Sequence, residues 1–134
     1  MGAFIYVQLK GLNQGLISDK CSTEESICKN HIGHEDEIHI TGLNYSTFND
    51  DDMIITFKKG IDRASPLLHK CIIENEKLSL QFKFYSDDEI KKQITIKEAL
   101  IKGLGINIKS LRGYESDFEE VCLECHDYSI VDFD

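Results

Sequence analysis

The sequence predicts a mainly β fold, a closed or nearly closed barrel of antiparallel strands with one short α-helix at about residues 65–74. Apolar and polar residues alternate with period two along most of the chain, which is typical of strands with one buried face. Polar, turn-prone stretches separate these segments, and a single stretch has helical spacing. The 134 residues contain no repeat, linker or low-complexity tract, so we expect a single domain over residues 1–134.

The strands are predicted from alternation, taken in chain order. In the first, Ile5, Val7 and Leu9 point one way while Tyr6 and Gln8 point the other. The apolar phase slips within the segment 93–108, which predicts bulges that bend a long strand. The predicted strands cover residues 4–10, 37–42, 53–59, 77–84, 93–108 and 121–130.

The helix is predicted by the stretch ASPLLHKCIIE. Ser65 suits the N-cap, because its hydroxyl can accept from an unpaired N–H, and Pro66 suits the first turn. The residues Leu67, Leu68, Cys71 and Ile72 would form the apolar face of this helix.

Composition limits the partners and the compartment. The formal net charge of −9 and the scattered lysines disfavour nucleic acid. The apolar runs are shorter than the roughly 18 residues that cross a membrane, so no membrane insertion is expected. The start MGAFIYVQLKG lacks the features of a signal peptide, which predicts a cytoplasmic chain unless a dedicated system exports it. Five irregularly spaced cysteines favour reduced thiols over a disulfide framework.

The histidines resemble a zinc-protease motif only in part. His34 and His39 are five residues apart, so they lie about 140° apart on a helix and on opposite faces of a strand. His31 would join His34 only on a helix, which the following strand disfavours. The run Asp50 to Asp52 lacks the alternating acids of a calcium loop. We therefore expect no metal site here.

The stretch from Cys122 to His126 fits the C-x-x-C-H pattern of c-type haem attachment. On a strand, however, Cys122 and Cys125 point to opposite faces, and haem attachment needs both thiols on one side. We therefore expect no haem, and no other cofactor motif is present in the sequence.

The residues by themselves leave the chemistry open. The sequence contains no glycine-rich phosphate loop after a strand and no G-x-S-x-G elbow, so an enzyme is not predicted. A binding or structural barrel is favoured. Two alternatives remain, a barrel that binds a small molecule or acts as an effector chaperone, and an enzyme with a cysteine nucleophile beside His69 or His126.

Five stretches matter together, in this order along the chain: IYVQLKGLNQGLIS, GHEDEIHI, ITFKKGIDRASPLLHKC, ITIKEALIKGLGI and VCLECHDYSI. They resemble the haemolysin-coregulated protein (Hcp) family, in its enterobacterial form, of bacterial type VI secretion systems. The specific pieces are GHEDEI and the segment from Phe57 to Leu68, and the loop from Gly42 to Asp52 is shorter than is usual in the family. The motif positions are Gly33, His34, Glu35, Asp36, Glu37, Ile61, Asp62, Ala64, Pro66 and Leu67.

This resemblance implies a structural subunit. It predicts a homohexameric ring, rings that stack into the inner tube within a contractile sheath and behind a tip spike protein, and small effector proteins held in the lumen. The subunit would be cytoplasmic before firing and secreted through the apparatus afterwards. Carried over to this chain, the resemblance places Asn44 at the lumen surface as the effector-binding candidate; an alternative is that Asn44 is a turn residue before the acidic loop.

Overall fold

Eight strands and one helix make up the part of the chain that the structure describes. The structure is a computed structural model that describes residues 3–18, 37–48, 52–60, 64–86, 89–107 and 118–133. In chain order the elements are β1 (Ala3–Gly11), β2 (Gly15–Leu16), β3 (Ile38–Thr47), β4 (Met53–Gly60), α1 (Ala64–Glu74), β5 (Leu78–Ser86), β6 (Glu89–Asn107), β7 (Phe118–Cys125) and β8 (Asp127–Asp132). The predicted mainly β fold with a helix is confirmed.

Six strands close into a ring of antiparallel pairs. The order is β1-β3-β4-β7-β6-β5, and β5 pairs again with β1 over nine residue pairs from Ala3↔Ser86 to Gly11↔Leu78. The strands β2 and β8 lie outside this ring, paired with β1 and β6. Apolar side chains from all six strands fill the interior, among them Leu9, Ile40, Phe57, Phe82, Ile96 and Leu123. The expected closed or nearly closed barrel is therefore confirmed.

The long strand β6 bends at bulges, as its slipped pattern predicted. The pairing register with β5 shifts between Leu78 and Leu80, and the register with β7 shifts between Ile101 and Gly103. At the bend Glu98 has a φ of 55°, in the left-handed region that side chains other than glycine rarely adopt. Because of this bend, the first half of β6 pairs with β5 and β8 while its second half pairs with β7.

Two strand boundaries differ from the prediction. β3 continues to Thr47, so the first half of the expected loop from Gly42 to Asp52 is strand, because each residue there finds a partner on β4. The predicted last strand at 121–130 is two strands with a bend at His126. β7 and β8 both pair with β6. β4 begins only at Met53, opposite Cys125, so it pairs with β7 and supplies no partner for β8.

The helix begins one residue earlier than expected. Since α1 starts at Ala64, Ser65 lies in the first turn rather than at the N-cap, and its hydroxyl donates to Glu119 Oε1 at 3.0 Å. Leu68 and Cys71 are buried as predicted, whereas Ile72 is 37% exposed. The buried side of α1 carries Ala64, Leu68 and Cys71. The helix is therefore rotated relative to the predicted face, and Ile72 is turned toward solvent. No helix in the described ranges has the length and apolar character needed to cross a membrane.

A buried ion pair joins the helix start to the sheet. Lys59 Nζ lies 2.7 Å from Glu119 Oε1, and both side chains are fully buried. The same ammonium group donates to Gly60 O at 3.0 Å and to Ser65 Oγ at 3.4 Å. These contacts connect β4, α1 and β7 at one point, and buried charges persist only with such partners.

A second buried carboxylate holds the turn between β1 and β2. Glu76 Oε2 accepts from the backbone N–H groups of Asn13 at 2.8 Å and Gln14 at 2.7 Å. Burial alone would raise the pKa of Glu76, but these backbone hydrogen bonds outweigh it and lower the pKa below its ordinary value. The carboxylate lies so close to Gly11 that a Cβ there would overlap Glu76 Oε2.

Candidate functional site

The candidate site is the outward side of four neighbouring strands, β3, β4, β7 and the second half of β6. We call this surface the wall face. It exists because residues alternate along each strand, so that every second side chain leaves the apolar interior. In β4, for example, Met53, Ile55 and Phe57 are buried, whereas Ile54 and Lys58 are exposed.

Strand register arranges the wall face in rows, because directly opposed residues of antiparallel strands lie on the same side of a sheet. The rows are Ser46, Ile54, Glu124 and Leu100; then Asn44, Thr56, Cys122 and Gly103; then Gly42, Lys58, Glu120 and Gly105. The middle row is uncharged and offers hydrogen-bonding groups, and the third row sets one cation beside one anion.

Asn44 lies inside β3, opposite Thr56, and its side chain is exposed. The interpretation of Asn44 as a turn residue is therefore wrong, since β3 continues three residues beyond it. With Thr56, Lys58 and Glu120 it lines a shallow open groove on the wall face. An amide here meets water and any bound molecule, and it can donate as well as accept. Its assignment to a lumen stays a prediction.

The charged row has a defined geometry. Lys58 Nζ lies 5.1 Å from the centroid of the Phe118 ring, within range of a cation–π contact, and Glu120 stands directly across from Lys58. The glycines Gly42 and Gly105 end this row on either side, so Lys58 and Glu120 carry the two side chains of the row. The row therefore presents both signs of charge over a short distance.

On both sides, the wall face ends in a strand edge that has no partner among the described strands. β1 pairs with β3 only at residues 38–40, so no described strand pairs with the segment 41–47 on the edge away from β4. β5 pairs with β6 only as far as Ala99, so no described strand pairs with the segment 100–107 on the edge away from β7. Unpaired N–H and C=O groups on such edges are templates for another strand.

The thiols divide between the two sides of the sheet, as predicted for a strand. Cys125 is 1% exposed in the core, while Cys122 is half-buried on the wall face, so these two thiols cannot both face one haem from β7. Burial, and next the charge of Asp127, raises the pKa of the Cys125 thiol to about 11. Burial, and next the charge of Glu76, raises that of Cys71 to about 11. Neither buried thiol is a ready nucleophile at neutral pH.

The histidines considered in the sequence lie apart from the wall face or outside the described residues. His69 is exposed on α1, and exposed His126 contacts Asp52 at the bend between β7 and β8. His39 packs edge-on against Phe4, with ring centroids 5.6 Å apart. In the ranges that the structure covers, no three His, Cys, Asp or Glu side chains group as metal ligands. His31 and His34 fall outside these ranges.

Four of the ten motif positions lie within the described residues. Glu37 is buried and 3.5 Å from Lys83 Nζ, which links the start of β3 to β5. In α1, Ala64 is buried, Pro66 is exposed and Leu67 is half-buried. These positions support the barrel and the helix start, and none lies on the wall face. The remaining positions, Gly33, His34, Glu35, Asp36, Ile61 and Asp62, fall outside the described residues.

Sequence reasoning missed two features of this region. Tyr6 points outward from β1 yet is 1% exposed, because the rings of His39 and Tyr85 approach it at 5.7 Å each. The adjacent residues Lys58 and Lys59 would both be taken for surface lysines from their type alone, but they point to opposite sides of β4, and Lys59 is buried. Period-two alternation carried this second signal, since Lys59 continues the buried series Met53, Ile55 and Phe57.

Comparison with solved structures identifies the fold. The secreted protein Hcp3 from Pseudomonas aeruginosa matches with a TM-score of 0.78 and 21% identity, covering 99% of each chain. The chain has the Hcp fold. Hcp1 from Salmonella typhimurium matches the same fold with a TM-score of 0.74 and 16% identity, over 100% of this chain and 88% of that one. A type VI secretion system effector from Yersinia pestis matches with a TM-score of 0.63 and 17% identity, over 98% and 100%.

Sequence comparison adds a longer relative. The uncharacterized protein YhhZ of Escherichia coli (strain K12) is 37% identical over 90 residues, which cover 63% of this chain. The chain spans 23% of the length of that relative. No family model matches the chain.

Proposed function

We propose that the chain is a structural subunit of the type VI secretion inner tube and not an enzyme. Six copies form a ring, rings stack into a tube that is loaded in the cytoplasm and ejected, and the wall faces line a lumen that carries small effectors. The Hcp fold supports the assignment, and the resemblance of GHEDEI and of the segment from Phe57 to Leu68 to the Hcp family supports it independently.

The observation that carries the proposal is the pair of unpaired edges on the wall face. The edge at 41–47 and the edge at 100–107 are two different surfaces of one chain, at opposite sides of one four-stranded sheet. When one surface meets a different surface on the next copy, the contact is heterologous, and it generates a ring where the rotation between copies closes. Six sheets joined in this way make one continuous wall whose inner face is the wall face.

The wall face suits a channel lining better than a core. Its middle row carries Asn44 and Thr56 as neutral hydrogen-bonding groups, and its third row balances Lys58 with Glu120. A lining with both charges and neutral amides holds protein clients through polar contacts while keeping water in the bore. The packed apolar interior of each barrel gives the subunit its stability and leaves cargo to the lumen.

Native mass tests the ring. Light scattering at micromolar concentration should report about six times the chain mass of 15.3 kDa, because a stable ring contact buries well over about 1,000 Å². A monodisperse monomer would exclude the tube subunit and leave the monomeric binding barrel. The spike and sheath would be tested separately, by co-purification of the assembled apparatus.

The lumen is tested by one substitution and a matched control. Asn44→Arg should leave ring mass and melting temperature unchanged, since an exposed strand residue has water to extend into. It should abolish retention of a co-expressed candidate effector, because six cations would converge on one bore. Ser79→Arg, an exposed site on β5 away from the wall face, should retain the effector. Retention by the Asn44 variant, or loss by both variants, would remove Asn44 from the lumen.

A further inference from the structure

The strand β8 carries a free edge that the proposed ring does not use. β8 pairs with β6 from Asp127↔Lys97 to Asp132↔Lys92, and no described strand pairs with its other edge. β4, the neighbour of β7 on that side, begins only at Met53, opposite Cys125. Among the described strands, β8 therefore projects beyond the end of β4 with one edge unpaired.

The direction of its backbone groups can be assigned. Phe133 N donates to Lys91 O at 2.9 Å, so the peptide groups of Phe133 point toward β6. Along an antiparallel strand these directions alternate from one residue to the next. The N–H and C=O groups of Tyr128, Ile130 and Asp132 consequently point to the free edge, where they are available to another strand.

Both faces of the sheet carry exposed apolar side chains at this edge. Ile130 is 38% exposed, and its neighbour Val131, on the opposite face, is 46% exposed. Phe133, on the same face as Val131, is 45% exposed. A strand added to this edge would meet apolar cross-strand neighbours above and below the sheet.

Charge decides which kind of strand fits. β8 has an exposed acidic residue at each end, and each has a lysine of β6 opposite it: Asp127 is opposite Lys97, and Asp132 has Lys92 Nζ 3.6 Å away. Among the described strands, the unpaired edges that another copy of this chain could offer are poor in cations: residues 41–47 and β8 itself contain no lysine or arginine, and residues 100–107 contain one lysine. A second copy is therefore a weaker match than a segment with basic residues at both ends.

We propose that the edge of β8 is a docking site for a partner protein, which adds an extended, apolar segment flanked by lysine or arginine as a further strand. Main-chain hydrogen bonds to Tyr128, Ile130 and Asp132 would supply affinity, and the acidic ends would select the sequence. This inference does not depend on the ring, because β8 lies outside the four strands of the wall face.

Peptide binding to the full chain tests the site. The probe is a fluorescein-labelled peptide, KTVTVTK, measured by anisotropy against a charge-reversed peptide, ETVTVTE. The basic peptide should bind about tenfold more tightly, since two exposed ion pairs become two repulsions. Asp127→Lys combined with Asp132→Lys should reverse that preference. Equal binding of the two peptides, or no binding of KTVTVTK, would overturn the proposal.

Backbone pairing is tested from both partners. Ile130→Pro removes an N–H that points outward and spares the ladder with β6, so binding should fall at least about tenfold while Ile130→Val binds normally. A KTVTVTK peptide methylated on alternate amide nitrogens should fail to bind the unaltered protein, which keeps the test valid even if the proline variant unfolds. Binding by the methylated peptide would overturn strand addition. A lower native mass of the proline variant at unchanged melting temperature would assign the edge to a second copy instead.

Discussion

Removing either partner of the buried pair between Lys59 and Glu119 should strongly destabilise the subunit. The ammonium group has three acceptors within 3.4 Å, and neither side chain reaches solvent. A charge left alone at such a site costs about 3–5 kcal/mol. Lys59→Met and Glu119→Gln should each lose this amount, which moves the urea midpoint by roughly 1–3 M for a chain of this size.

The double variant Lys59→Met/Glu119→Leu separates pairing from packing. It leaves no buried charge, so it should be more stable than either single variant, with a coupling energy of at least about 2 kcal/mol. Urea unfolding is followed by circular dichroism at pH 7 and one fixed protein concentration, because assembly couples to stability. Lys92→Met, which breaks an exposed pair with Asp132, is the control and should cost about 0–1 kcal/mol. Single variants within about 1 kcal/mol of wild type, or additive effects, would refute the reasoning.

Three further predictions concern other parts of the barrel. Because its folded pKa lies below the ordinary value of 4.5, Glu76 adds stability above about pH 4.5 that is lost as pH falls through the folded pKa. Glu76→Gln should therefore flatten the plot of unfolding free energy against pH in this range, and an unchanged slope would contradict the prediction. Gly11→Ala should lower the melting temperature, because the added methyl group would displace the Glu76 carboxylate, whereas Gly105→Ala, in open space, should not. Equal melting temperatures of the two variants would show that Glu76 does not lie against Gly11. Iodoacetamide at pH 7.5 should modify Cys122 in the native protein and spare Cys71, because a pKa of about 11 leaves little of the Cys71 thiol as thiolate. Peptide mass mapping measures the labelling of each thiol, and rapid labelling of Cys71 would disprove its burial.

The sequence determined the strands because alternation depends on each strand by itself. The segments around Ile5, Ile55, Leu80 and Ile94 have an apolar face whatever their neighbours are, so their existence and the residues of their buried faces follow from period two. The same rule separated Cys122 from Cys125, and the phase slip after Ile96 predicted the bulges of β6. These are local properties of the chain.

Only the tertiary structure decided which residues meet. Glu119 lies beside Lys59, 60 positions away in the sequence, because β4 and β7 are neighbours in the sheet, where β4 also pairs with β3 on its other side. The row of Asn44, Thr56 and Cys122 exists for the same reason, since three separate strands must fix their registers before the row forms. The ends of strands also depend on their partners. β3 continues past Gly42 because β4 supplies partners there, and the last strand divides at His126, just beyond the pairing of Cys125 with Met53 at the start of β4. Pairing between strands depends on the order and register of the whole sheet, which period-two alternation in a single strand does not contain.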